Sequence, residues 1–398
     1  MPNAAASYRA IYAYAWDIAE RGVGDFVADM KALGLDTVTF AGSYHAGKFI
    51  RPQGKAGKVY FPDDGSAYFR VDLARYGKIK PLQNSRLRNR DVLKELCASE
   101  IAVNAWMVLL HNTRLGSEHP RSTVENAFGD RYVYSLCPAA PEVRKYAVAL
   151  CKDVTDNYPV IGVSLETPGF LPYQHGFHHE FALVRQNKWL DAQLGVCFCE
   201  HCLRGAEAAG LDDIEALRDL IKEGIEAYLS GDTDLPEDMA EAFWLADVQT
   251  DSRLSAFLRW RCDLVASLVA EIRDAVRRDA VVAVIPSVAR PTAGAWYEGS
   301  DLLSLAAAAD IVEACFYEPS VARIRADIFD VKRRLAGAGG LRGILRPAWP
   351  DLQSRADVVG AATALRDAGI TDVAFYNYGH LRRSNLAWIA DALAVFGD

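Results

Sequence analysis

Three groups of residues in this 398-residue chain have types and spacings that could do chemistry. Glu166 closes the apolar run VIGVSLE and is followed at once by Thr167, Pro168 and Gly169, a turn that stops a strand. A carboxyl group there is partly stripped of water, which raises its pKa and lets it act as a general acid. Hydrolysis of a glycosidic bond usually sets such an acid against a second carboxylate. Glu318, in ACFYEPS, is the first candidate for that partner and Asp351, in RPAWPD, the second. Asp17 is third, and its simpler role is to cap the helix that follows. Glu313 sits inside a strand pattern and could face either way.

The second group is HGFHHE, which places His175, His178, His179 and Glu180 just past Glu166. These histidines are read first as groups that bind hydroxyls or cap a pocket. Binding of Zn or Mn is the alternative, since imidazole and carboxylate at short spacing ligate such ions. The third group is CFCEHC, with Cys197, Cys199 and Cys202 as a C-x-C-x-x-C triplet. Eight cysteines in a chain of this length are too few for a disulfide scaffold. Thiols crowded together without an export signal favour a metal. Three thiolates and one remote ligand, either Cys137 of SLCPAAPEV or His201, can hold Zn tetrahedrally. A closed thiolate site leaves no position for water, so the expected zinc is structural.

The elements that must position these groups follow from the apolar pattern. Runs rich in Val, Ile, Tyr and Phe predict strands at 9–16, 37–42, 102–110, 160–166, 280–287, 310–317, 342–349 and 372–379. Few of them alternate strictly, as expected for parallel strands covered on both faces. Helical spacing predicts helices at 23–35, 90–100, 142–156 and 356–370, and further ones near 212–230 and 236–276. Eight strand-then-helix units give the α/β class and a (β/α)8 TIM barrel, a single catalytic domain over 1–398. Between strand 4 and strand 5 lies a long insertion, 167–255, carrying the His-rich loop and the Cys cluster. The helix beginning SRLSAFLRW after it is the barrel's own fourth helix. A doubly wound open sheet is the alternative, but no glycine-rich dinucleotide fingerprint follows an early strand, and no organic cofactor is expected.

Such a barrel carries its chemistry at the C-terminal ends of the strands. Reading those ends in order collects Asp17, Tyr44, His45, His111, Asn112, Tyr173, Trp349, Asn377, Tyr378 and His380 as substrate-binding candidates beside the three histidines. Phe170, Trp296 and Trp349 are candidate stacking platforms whose simpler role is packing. Carboxylates, imidazoles and aromatics without phosphate-binding glycine loops suit a neutral polyhydroxylated ligand. Acidic residues outnumber basic ones 52 to 44 with no basic block, which argues against a nucleic-acid partner. No uninterrupted apolar stretch is long enough to span a membrane, and the expected location is cytoplasmic. The long helices of the insertion offer a surface for a homodimer.

A strand-4 Glu followed by a C-x-C-x-x-C cluster resembles the family 42 β-galactosidases and their wider relatives among retaining glycoside hydrolases. The resemblance covers the barrel loosely and residues 160–202 as motifs. It implies an acid/base role for Glu166 and structural zinc on Cys197, Cys199 and Cys202. Strand 7 ends RPAW without a Glu. Pairing strand 4 with strand 6 resembles instead the α-glycosidase barrels, with Glu166 as nucleophile and Glu318 as acid. The leading expectation is a glycosidase acting on a small glycoside or oligosaccharide. Two other readings stay open: a metal-dependent sugar isomerase, epimerase or lyase, and a non-catalytic carbohydrate-binding barrel.

Overall fold

The computed structural model describes residues 8–177 and 181–397. Eight strands form its core: β1 (Arg9–Ala13), β2 (Thr37–Tyr44), β3 (Ala102–Val108), β4 (Gly162–Glu166), β5 (Val281–Val284), β6 (Ile311–Cys315), β7 (Gly340–Leu345) and β8 (Val373–Phe375). Each pairs in parallel with the next, and β1 pairs with both β2 and β8, so the sheet closes into a barrel. The helices are α1 (Val23–Ala32), α2 (Val92–Cys97), α3 (Pro141–Asn157), α4 (Ser252–Ala275), α5 (Leu302–Ala308), α6 (Val321–Leu335), α7 (Arg355–Asp367) and α8 (Arg383–Leu393). The protein is a (β/α)8 TIM barrel, as its alternating pattern predicts.

Most expected strands run too far at their C-terminal ends. Residues 14–16, 109–110, 285–287, 316–317, 346–349 and 376–379 leave the sheet and turn over the barrel mouth. They stay largely apolar because the mouth is itself packed with aromatic rings, so hydrophobicity does not mark where strand ends and rim begins. Two excursions had no counterpart in the sequence pattern. Between β2 and α2, Phe49–Ile50 pairs with Val59–Tyr60, while Ser66–Ala67 adds to the end of β2. Between β3 and α3, Thr123–Glu125 pairs with Arg131–Leu136. Strands this short carry too little periodicity to register. The β4–β5 connection holds helices Lys188–Leu194, Glu200–Ala208, Ile214–Ser230 and Glu237–Thr250, and then α4, which packs against α3.

A polar layer lies inside the barrel. Ser164 on β4 points inward, receives a hydrogen bond from Asn104 at 2.8 Å and donates to Glu313 at 2.5 Å. Arg342 on β7 sits 3.5 Å from the same Glu313 oxygen, with its guanidinium 3.3 Å from the centre of the Tyr8 ring. Tyr8 in turn shares a 2.6 Å hydrogen bond with Thr39. Glu313 therefore faces the interior, and all six residues are buried.

This layer fixes the direction of the site above it. Successive side chains of a strand alternate, so Glu166 points inward like Ser164 two residues before it. It does so one layer higher, at the mouth. Removing one member of a buried ion pair strands its partner, at a cost of about 3–5 kcal/mol. Glu313→Ala should lose about that much in urea unfolding, while Glu313→Gln, which keeps an acceptor for Ser164, should lose less. Equal stability of the alanine variant and the native chain would show that the layer contributes nothing.

Candidate active site and thiol centre

Glu166 stands at the centre of the mouth. Its Oε2 accepts a 2.6 Å hydrogen bond from the indole N–H of Trp106 on β3. Burial pushes its pKa up to about 7, and the Trp106 hydrogen bond opposes part of that rise. With Oε2 engaged, Oε1 is left to carry the proton. The turn that follows is tight: Thr167 adopts φ 53°, a left-handed conformation uncommon for a β-branched residue.

The same turn brings a second carboxyl group alongside. Phe170 N donates to the Glu298 carbonyl at 2.9 Å. Gly169 passes so close that a Cβ there would lie 2.2 Å from that oxygen. Glu298 closes the 3-10 segment Thr292–Glu298 after β5, and its carboxylate accepts from Ser287. Burial raises its pKa to about 7, the Ser287 bond lowers it, and the nearby Glu166 charge raises it further. Glu166, Glu298, Ser287 and His175 together line a cavity of about 140 Å³. Burial lowers the pKa of His175, which favours its neutral form.

Aromatic residues close the rest of the mouth. Tyr14 donates to the Tyr44 hydroxyl at 2.9 Å and lies within hydrogen-bonding distance of the Tyr376 hydroxyl (3.1 Å) and His380 Nε2 (3.3 Å). Tyr44 meets the Trp106 ring edge-on at 4.9 Å. His45 stacks on His111 at 4.1 Å, and His111 approaches His175 at 5.6 Å. His175 lines the cavity of Glu166 and Tyr44 lies within reach of its charge, while His45, His111 and His380 are joined to these groups by ring contacts.

Other expected site residues lie elsewhere or have structural partners. Asp17 is bonded to Arg51 at 2.6 Å and lines, with Tyr378, a separate cavity of about 280 Å³. Asn112 caps the short helix Thr113–Glu118, and Asn377 accepts from Gly379 N. The Tyr173 carbonyl accepts from the Tyr134 hydroxyl. Glu318 is buried against Arg323, and Asp351 is held between Arg290 and Arg346. Trp349 is 78% exposed on the β7 loop. Phe170 is buried beneath Arg261, 4.1 Å from its guanidinium, and Trp296 stacks on Tyr297. His178, His179 and Glu180 lie outside the described residues. Sequence reasoning missed Trp106, Tyr14, Tyr376 and Glu298. The one available signal was for Glu298: a carboxylate within AWYEGS just past an expected strand.

The thiols form a second centre. Sγ atoms of Cys137, Cys197, Cys199 and Cys202 all lie within 4.8 Å of one another, and all four residues are buried. Cys137 Sγ is 3.5 Å from Cys202 and from Cys199, and 3.9 Å from Cys197. Four thiolates placed ~2.3 Å from one tetrahedral Zn stand about 3.8 Å apart, so the residues present fit that ion. Cys137 and not His201 completes the set, since His201 hydrogen-bonds Arg204 instead. Glu125 N donates to Cys197 Sγ at 3.4 Å, and Arg261 is buried within electrostatic reach of three of the sulfurs. Both features offset the negative charge that a tetrathiolate centre retains. Among the described residues, no other group of three or more His, Cys, Asp or Glu side chains is close enough to share an ion.

No family model and no curated protein matches the chain. Solved structures do. The glycoside hydrolase domain of PgaB (BpsB) from Bordetella bronchiseptica is 15% identical, with a TM-score of 0.58 over 98% of this chain and 99% of that one. The endo-1,4-β-mannanase of Rhizomucor miehei is 10% identical, with a TM-score of 0.51 over 100% of this chain and 96% of that one. At such identities the likeness establishes the barrel fold.

Two outcomes follow from these geometries. Purified protein should carry about one Zn per chain by elemental analysis, and Cys137→Ser should lose most of it and melt at lower temperature. Retention of full metal content in that variant would remove Cys137 from the site. The two carboxyls give a pH signature. Raised from 4.5 to about 7, they keep protons in the folded chain over a window where the unfolded chain has released them. Stability should therefore fall as pH rises from about 4.5 to about 7 and level off above it. Urea midpoints of Glu166→Gln/Glu298→Gln should show a shallower decline across that window; an unchanged slope would refute the raised values.

Proposed function

We propose that the protein is a glycoside hydrolase acting on a small glycoside or oligosaccharide, with Glu166 as proton donor and Glu298 as the second carboxyl group. The observation that carries this reading is the shared cavity: two carboxyls meet at the C-terminal mouth of a barrel, each pushed by burial to about 7. That value suits proton transfer near neutral pH. Glu166 Oε1 would give its proton to the glycosidic oxygen as the bond breaks. Glu298, once ionised, would attack the anomeric carbon or draw a proton from the attacking water.

Glu318 and Asp351 fit the second role less well. Each is held in an ion pair with arginine that a mobile proton would break. The likeness in fold to a mannanase and to the PgaB glycoside hydrolase domain supports the reaction class without naming the sugar. The resemblance to family 42 rests on the strand-4 Glu and the thiol cluster. The zinc we assign to those thiols would act on structure alone, holding the insertion against the hairpin before α3. A homodimer through the insertion helices draws support from exposed Leu220, Leu229, Phe243 and Leu245.

Aryl glycosides of both anomeric configurations test the assignment. Glu166→Gln should lower kcat/KM by at least ~10³-fold and Glu298→Gln by at least ~10²-fold, with Glu318→Gln changing it by less than ~10-fold. Activity should fall away on the alkaline side as pH rises through about 7, where Glu166 gives up its proton. Undiminished turnover in Glu166→Gln would overturn the mechanism. A larger loss in Glu318→Gln than in Glu298→Gln would return the second role to Glu318.

A further inference from the structure

The rim beside the cavity carries a surplus positive charge. Asp351, its side chain fully buried, receives Arg290 Nη1 on Oδ1 at 2.8 Å and Arg346 Nε on Oδ2 at 2.5 Å. One carboxylate thus serves two guanidinium groups, and one unit of charge is left over. Both cations reach solvent: the Arg290 side chain is 38% exposed and that of Arg346 27%. Arg290 also donates to the Tyr317 carbonyl at 2.7 Å, and Arg346 lies 4.2 Å above the Tyr317 ring, so both heads are fixed in place. Arg346 uses only Nε in these bonds; among the described residues its Nη1 and Nη2 have no acceptor. A planar edge with two free N–H donors is the arrangement that grips a carboxylate or sulfate in two-point fashion.

This rim belongs to the same mouth. Arg290 directly follows Val288 and Ala289, which line the cavity shared by Glu166 and Glu298. Tyr376 lies close enough to feel both the Glu166 and Arg346 charges. We propose that Arg346 and Arg290 form an anion-binding subsite, which takes a carboxylate or sulfate ester on a sugar ring seated at Glu166; this rests on the glycoside hydrolase reading. The preferred substrate is then an anionic glycoside. A staple made only to tie the β5 and β7 loops together would need one arginine for its buried carboxylate, and the second would add charge without a partner.

Matched aryl glycosides decide it: the neutral gluco, galacto and manno compounds, their uronides and their 6-sulfates. The anionic member of at least one set should show kcat/KM at least ~10-fold above its neutral counterpart, by an advantage that shrinks as salt is raised. Uronides and sulfates in separate assays tell which anion the subsite takes. Arg346→Gln, which leaves Arg290 paired with Asp351 and no surplus charge, should abolish the advantage. If that protein fails to fold, Arg346→Lys keeps the charge but loses the fork and should cut the advantage several-fold. Neutral glycosides hydrolysed as well as or better than every anionic partner would overturn the subsite and leave the hydrolase reading intact. Hydrolysis of nothing would overturn the hydrolase reading, and calorimetry with the methyl uronides, 6-sulfates and neutral methyl glycosides would judge the rim alone. Anion binding lost in Arg346→Gln would sustain it, and no preference for anions would end it.

Discussion

A sheet closed on itself has to fill its own interior, and the filling of this barrel governs what its mouth can do. The lower layer is an ion pair, Glu313 with Arg342, wrapped by Ser164, Asn104, Tyr8 and Thr39. The upper layer is a wedge of rings, with Tyr12 edge-on to Trp106 at 5.0 Å and Tyr14 stacked on Trp16 at 4.3 Å. A carboxyl group set on top of this plug loses hydration on its barrel side and faces a narrow cavity on the other. Among the described residues the Trp106 N–H is the one strong donor given to it, enough to orient the carboxyl and too little to keep it ionised. Burial above an aromatic floor is thus the cause from which the rest of the site descends.

The insertion completes what the barrel begins. Its first turn locks onto the β5 loop through Gly169, Phe170 and the Glu298 carbonyl. Its later helices press on the same loop from outside: Lys188 lies 4.7 Å from the centre of the Tyr297 ring, and Trp244 stacks on Trp296 at 6.4 Å. Glu298 is held from both sides without belonging to any strand. The thiol centre lies within the same excursion, where Cys197 to Cys202 meet Cys137.

The sequence made some of this legible and hid the rest for identifiable reasons. Eight repeats of strand and helix could be read because parallel strands buried on both faces are continuously apolar. Glu166 stood out as a lone charge at the end of such a run, and the three spaced cysteines as a cluster. Glu318 and then Asp351 looked suited to catalysis, because a carboxylate that neutralises an arginine is the same residue type as one that moves protons. What separates them is a partner such as Arg290, which is 61 residues from Asp351 in the chain and adjacent only after folding. Glu298 was hidden for a related reason: it sits on a 3-10 segment with no periodicity, and its place beside Glu166 depends on a glycine contact between two loops. Trp106 was hidden inside an expected apolar strand, where it is buried and differs from its neighbours only in the N–H it gives to Glu166.

The position of Cys137 carries a consequence for how the molecule is assembled. It precedes β4 in the chain, whereas its three companions follow β4, and Cys137 and Cys197 are 60 residues apart. Ion capture by all four sulfurs therefore closes a loop that contains the whole of α3, β4 and the Glu166 turn. During synthesis the triplet emerges after Cys137 and before β5 to β8. An ion held by all four sulfurs would tie the strand bearing Glu166 between two fixed points while the second half of the barrel is still being made.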